Sequence, residues 1–426
     1  MSHFEETLNR YALLLLKKGV NLKPGEYLVI SADVEHRDIV LKLLENAYRM
    51  GASMVNVIYR DDRAQRIRLE NSSPENLSVY PQGIVAELKS LLDKRGSYLS
   101  ISGVESPDIF EGIDSTKVQR LISARYEKTE FFTRAIMDNE IKWTVAAAST
   151  TGLAEKVLGF KGNVKKANEK DRNDLKLKLW HEIFKVCMVE GDDYMEKWNE
   201  HNAKLKEYIS RFNEARIEEL HFKAPGTDLT VGLHEKARWV GGVSVTSRGE
   251  EFMANIPTEE IYTAPDFRRV NGVFESTRPL LYRNILVERF GMRFEEGKVT
   301  DVWGSDGVES IMGLLEMDEG ARYAGEIALV EKTSRVYESG LVFYDLLYDE
   351  NAACHIALGA GYPECIEGGE ELDDEGKREV GLNSSKLHMD IMIGSPELDI
   401  TARLYDGREV EIMRQGLLIG EFTGEI

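Results

Sequence analysis

The sequence predicts two folded parts: an open, mostly parallel α/β domain at the N-terminus, then a strand-rich α+β domain that carries the chemistry. Three observations predict this. Short β-type apolar runs alternate with helical patterns through the first third of the chain, a long helical stretch follows from Asp171 to Arg216, and beyond it turn signals multiply and β-type runs crowd together. A chain of 426 residues also exceeds what one ordinary hydrophobic core supports. The reading places an α/β domain at 1–170, a helical bridge at 171–216 and an α+β domain at 217–426.

The elements follow in order. Leu28-Val29-Ile30 comes after the turn signal Pro24-Gly25 and reads as a short buried strand. From Arg37 to Met50, Ile39, Leu41, Leu43, Leu44 and Ala47 fall at helical spacing, and Gly51 ends the helix. Ser53 to Tyr59 is a second strand, Val85 to Leu92 a helix, and Tyr98 to Ile101 and Trp143 to Ala147 two further strands. Strands alternating with helices imply a mostly parallel sheet. Neither a Gly-x-Gly-x-x-Gly turn nor a Walker A loop follows the first strand, so nucleotide binding has no support there. In the bridge, Trp180, Ile183, Phe184 and Cys187 form one apolar stripe. The second half has β-type runs at Leu220–Phe222, Leu229–Leu233, Ile285–Phe290, Val410–Met413 and Leu417–Ile419, and a helical pattern from Gly304 to Ala324. The acidic stretch Glu367 to Glu375 reads as a solvated loop.

Composition narrows the function classes. With 42% hydrophobic and 30% charged residues the chain is neither disordered nor a membrane protein, and no apolar run approaches the ~20 residues needed to span a bilayer. Glu5 and Glu6 precede the apolar run Tyr11–Leu16, where a secretory leader would carry positive charge. Three cysteines, Cys187, Cys354 and Cys365, form no disulfide framework and suit a reducing, cytoplasmic compartment. A net charge of -20 argues against a protein that tracks nucleic-acid phosphates.

Several catalytic signatures are missing. His181-Glu182-Ile183-Phe184-Lys185 lacks the second histidine of a helical zinc-protease motif, and Gly304-Ser305-Asp306-Gly307 lacks the spacing of a nucleophile elbow. Cys354 adjoins His355, but chain neighbours seldom face each other. What remains is a scatter of metal-type ligands in the second half. In Leu387-His388-Met389-Asp390-Ile391, strand periodicity puts His388 and Asp390 on one face and three apolar residues on the other. An imidazole and a carboxylate side by side suit a metal; a plain His–Asp hydrogen bond is the alternative. His355 lies in a small, apolar stretch, where a satisfied core histidine is the usual reading. Glu326 opens the apolar run Ile327–Val330, a position that wants a cation, from a metal or a salt bridge. Glu259 and Glu260 stand together in Asn255-Ile256-Pro257-Thr258-Glu259-Glu260.

At these residues the sequence resembles the aminopeptidase T / aminopeptidase S (PepS) group of metallopeptidases. The resemblance is carried in order by Asn-Ile-Pro-Thr-Glu-Glu-Ile-Tyr-Thr-Ala-Pro-Asp at 255–266, Gly-Ala-Arg-Tyr-Ala-Gly-Glu-Ile-Ala-Leu-Val at 320–330, Asp-Glu-Asn-Ala-Ala-Cys-His-Ile-Ala-Leu-Gly at 349–359 and His-Met-Asp-Ile-Met-Ile-Gly at 388–394. Pro-Gly-Thr-Asp-Leu-Thr-Val-Gly-Leu at 225–233 and the opening segment extend it over nearly the whole chain. It implies two divalent ions per chain, cobalt, zinc or manganese, held by Glu260, Glu326, His355, His388 and Asp390, with Glu259 as the one-residue alternative to Glu260. It also implies an active-site tyrosine at Tyr362, short peptides with a free N-terminus as substrates, and a homodimer. On this reading Glu326 accepts the proton of the attacking water and Tyr362 hydrogen-bonds the developing oxyanion. Three carboxylates and a hydroxide offset two divalent ions, so the cluster is nearly neutral. The competing readings are another metal-dependent amidase or dipeptidase, and a non-enzymatic metal-binding module. Structural zinc sites favour cysteine, which the implied ligand set lacks.

Overall fold

The alternating pattern of the first half produces a five-stranded parallel sheet in the computed structural model, which describes residues 2–106, 109–159, 169–282, 285–305 and 307–423. Its order is Met54–Arg60, Tyr27–Asp33, Ser97–Ser102, Trp143–Ala147 and Asn255–Ile256. Tyr27–Asp33 is buried along its whole length, which is why it reads as a continuous apolar run rather than an alternating one. Helix Arg37–Arg49 turns Ile39, Val40, Leu43 and Ala47 inward, and Gly51, at φ +90°, lets the chain reverse towards the next strand. The fifth strand belongs to a segment far along the chain, which sequence order had given to the second domain.

By its contacts the chain divides into one unit of residues 1–198 with 243–257 and another of 199–242 with 258–426. The expected end of the first domain runs into residues 160–168, which lie outside the described residues, as does Asp306. The long helical stretch is two helices, Glu169–Val186 and Tyr194–Ala215. The first packs within the N-terminal unit, where Trp180 stacks on Phe184 at 5.3 Å and meets Tyr11 edge-on at 6.1 Å. The division at Trp198/Asn199 falls within the second helix. Among the described residues no helix is long and apolar enough to cross a membrane.

The second unit holds an eight-stranded antiparallel sheet and a four-stranded antiparallel sheet. The smaller has the order Ile261–Thr263, Ala324–Leu329, His355–Gly359, His388–Met392. One of its faces supplies Ile327, Leu329, Ile356, Leu358, Met389 and Ile391 to the main core, with Leu387 beside them. Each such side chain contributes about 2 kcal/mol when fully buried. A one-residue slip would turn them all out and drive the polar face inward, so the register is fixed.

Two expectations need correction here. Ile285–Phe290 is not one strand: Ile285–Val287 pairs with Leu280–Tyr282, and Phe290–Glu295 joins the large sheet. Among the described residues from Gly304 to Ala324 only Val308–Leu314 is α-helical: strand Lys298–Gly304 ends at the start of the range, Gly307 is left-handed, and a 3₁₀ turn at Glu319–Arg322 closes the segment. Within the acidic stretch, Asp373 caps helix Asp374–Glu379 by accepting from the Gly376 N–H.

Candidate metal centre

The polar face of the four-stranded sheet follows from its registers. Glu326 lies opposite Ala357, which lies opposite Asp390; Ala328 lies opposite His355, and Gly359 opposite His388. Directly opposed residues in an antiparallel sheet share a face. Glu326, His355, His388 and Asp390 therefore stand together, with Ala328, Ala357 and Gly359 between them. Glu260 immediately precedes the edge strand Ile261–Thr263 and reaches the same cluster.

The ligand atoms converge. His355 Nε2 lies 3.1 Å from Glu260 Oε2 and 3.4 Å from Glu326 Oε1. His388 Nε2 lies 3.8 Å from Glu326 Oε2 and 3.4 Å from Asp390 Oδ1. These form two sets, Glu260/Glu326/His355 and Glu326/His388/Asp390, each with its ligand atoms within 4.8 Å of one another. Glu326 belongs to both, one oxygen turned to each histidine. Glu259 points the other way: its carboxylate is 2.7 Å from Arg335 Nη1, so Glu260 is the residue the fold brings to the cluster.

Both histidines are oriented from behind. His355 Nδ1 hydrogen-bonds the Ala353 carbonyl at 3.1 Å and His388 Nδ1 the Ala360 carbonyl at 2.8 Å. A backbone acceptor at Nδ1 fixes the ring and leaves Nε2 to face the carboxylates, as in metal-ligating histidines. Glu260 Oε2 is buried and, despite its nearness to His355, receives no hydrogen bond of acceptable geometry. A buried carboxylate oxygen with no donor is costly unless a cation satisfies it. His388 is the most exposed of the five, its side chain at 22% against 1% to 7% for the others.

The electrostatics have the same origin. Burial pushes the Glu326 carboxyl up to about 7 against the pull of His355 and His388. Burial disfavours the charged form of His388, but Asp390 and Glu326 outweigh it and raise the imidazole to about 9. His355 is likewise raised, burial being overcome by Glu260 and Glu326. Asp390 ends below its usual range because His388 outweighs its burial. Burial, with Glu326 and Asp390, holds the Tyr362 hydroxyl protonated, and its ring lies 5.1 Å from that of His388.

Sequence reasoning missed Glu350. It ends the short helix Leu346–Glu350, is buried, and has its carboxyl raised by that burial and by Asp390, Glu260 and Glu326. The helix is anchored one residue earlier, where Asp349 accepts from the Phe343 N–H at 3.0 Å and lies 3.3 Å from Arg278. The available signal was an acidic pair, Asp349-Glu350, ahead of an apolar stretch. Counting Glu350, four carboxyl groups outnumber two imidazoles, and the oxygen and imidazole donors without thiolate suit divalent ions of the zinc, cobalt and manganese kind.

The thermophilic metalloprotease (M29) family matches residues 4–418. The chain belongs to this family. It is 36% identical to the aminopeptidase AmpS of Bacillus subtilis over 98% of this chain and 99% of that protein. It is 38% identical to an aminopeptidase T of Thermus aquaticus, again over 98% and 99%. The solved structure of wild-type AmpT from Thermus thermophilus matches with a TM-score of 0.88 at 37% identity, covering 98% of this chain and 100% of that one. As an M29 member the chain is a metalloprotease-class hydrolase, and its candidate ligands all lie in the matched region.

Proposed function

We propose that the chain is a metallo-aminopeptidase that removes N-terminal residues from short peptides, with two divalent ions held by Glu260, Glu326, His355, His388 and Asp390. The single observation that carries the two-ion reading is Glu326, shared by two ligand sets that each keep a histidine and a second carboxylate. Glu350 completes the acidic cluster. When bound, the ions supply the Lewis acidity that acidifies a water and polarises the scissile carbonyl.

The chain's own residues do the rest. The surplus of carboxylates draws in the ammonium of a free N-terminus, which selects exopeptidase over endopeptidase action. Glu326, common to both ligand sets, stands where the attacking water would be held, accepts its proton and returns it to the leaving amine. The Tyr362 hydroxyl makes no hydrogen bond of its own among the described residues, and it donates to the oxygen that gains charge in the tetrahedral state. Three buried free cysteines fit a cytoplasmic enzyme, and the homodimer implied by the family resemblance is carried here as part of the proposal.

The test is cleavage of a peptide with a free N-terminus beside its N-acetylated twin. The free peptide should lose residues one at a time, chelator should stop the reaction, and the acetylated twin should survive. Equal cleavage of both, or cleavage unaffected by exhaustive chelation, would overturn the assignment.

A further inference from the structure

We propose that Arg335, Glu259 and His201 are positioning residues that hold Glu260 in the metal cluster from the opposite side of the chain. The inference rests on the ion-site reading above and adds residues that reading does not use. Glu260 needs such support because it lies just outside the sheet ladder. The first paired residue of the edge strand is Ile261, opposite Leu329, and the strand has only three residues.

The residues before Glu260 are tied down at three points instead. His201 Nε2 lies 2.7 Å from the Thr258 carbonyl, to which it donates. Its Nδ1 is then an acceptor, 3.5 Å from Arg335 Nη1. The same Arg335 nitrogen is 2.7 Å from Glu259 Oε1, and the Glu259 N–H donates to Asn351 Oδ1 at 2.6 Å. Asn351 is fully buried and follows Glu350 directly, so this last bond joins the two segments that deliver Glu260 and Glu350.

Arg335 is the cation of this arrangement. The Glu259 side chain is 9% exposed, and without Arg335 it would be a buried charge left with the long 4.0 Å contact to His201 Nε2. Turning Glu259 towards water would rotate its neighbour Glu260 out of the cluster, because successive side chains in extended chain point to opposite sides. The three residues also line a cavity of about 220 Å³ that includes Lys204 and Tyr208. Removing the Arg335 side chain would enlarge a space already able to admit a guanidinium ion.

The experiment compares zinc binding by wild-type protein, Arg335→Ala, Glu259→Gln and Lys204→Ala, using a chromophoric chelator as competitor. Wild-type protein should take up two ions per chain; failure there would refute the ion-site reading itself. Arg335→Ala and Glu259→Gln should each weaken one of the two ions by about ten- to a hundredfold and leave the other unchanged. Lys204→Ala, on the same cavity but outside the tie, should bind both as wild type does. Millimolar guanidinium should restore the weakened ion in Arg335→Ala, while sodium chloride of equal ionic strength should not. If Arg335→Ala does not fold, Glu259→Gln decides alone. Wild-type affinity for both ions in the folded variants would overturn the proposal, as would equal loss of both ions.

Discussion

Adding zinc to the metal-free protein at neutral pH should release protons, and the structure sets how many. In the metal-free cluster His388 is raised to about 9 and His355 is raised as well, because each imidazolium faces carboxylates. A group titrating near 9 is protonated at pH 7 in roughly a hundred molecules to one. Metal ligation needs neutral imidazole, so loading both sets should expel about two protons from the histidines, with a further contribution from Glu326, which titrates near 7. Apparent zinc affinity should consequently fall about tenfold per pH unit below 9 from His388 alone. The assay is calorimetric titration in buffers of different ionisation enthalpy at one pH, where the slope of heat against that enthalpy counts the protons. The sign for stability follows from the same shift. A histidine raised above its ordinary 6.5 stabilises the metal-free fold fully below that pH and loses the contribution as pH rises through about 9. Metal-free protein should therefore melt earlier at pH 9 than at pH 6.5, and the ion-loaded protein should not share this loss. Heats independent of buffer at pH 7 would refute the reasoning, since they would mean that neither histidine yields a proton to the ions.

Other outcomes follow from the same geometry. Glu326→Gln should lose both ions, whereas Glu260→Gln and His388→Ala should each lose one and keep the other, read by elemental analysis of dialysed protein. Tyr362→Phe should retain both ions and lower turnover roughly a hundredfold, the effect of removing one oxyanion donor, measured as kcat on an unblocked peptide. Gly359→Ala should destabilise the fold by about 2 kcal/mol or more in chemical denaturation and weaken zinc binding. Gly359 has φ +101°, a Cβ there would collide with the Leu387 carbonyl, and its registered partner is His388.

The parts legible in the sequence were those governed by short-range rules. Strand periodicity alone put His388 and Asp390 on one face with Leu387, Met389 and Ile391 behind, and the registers of the sheet show that arrangement. The alternation in the first half gave the parallel sheet because each of its first four strands carries β-type apolar residues within a short segment set between helices and turns. What escaped depends on distant chain. Asn255–Ile256 adds to the parallel sheet beside Trp143–Ala147, and two residues carry no pattern that announces a partner so far back. Glu350 lies in a short helix among acidic neighbours, where exposure would be the ordinary reading; that helix is anchored through its neighbour Asp349 by Arg278 and the Phe343 N–H. The choice between Glu259 and Glu260 was open for a related reason. Adjacent glutamates are equivalent until Arg335, distant in sequence, claims one of them.

The central claim is that two cations share Glu326, and anomalous diffraction from zinc-loaded crystals at the zinc edge tests it most directly. Two peaks are expected in each chain, one bounded by Glu260, Glu326 and His355, the other by Glu326, His388 and Asp390. A single peak, or peaks elsewhere with these five side chains bare, would contradict it.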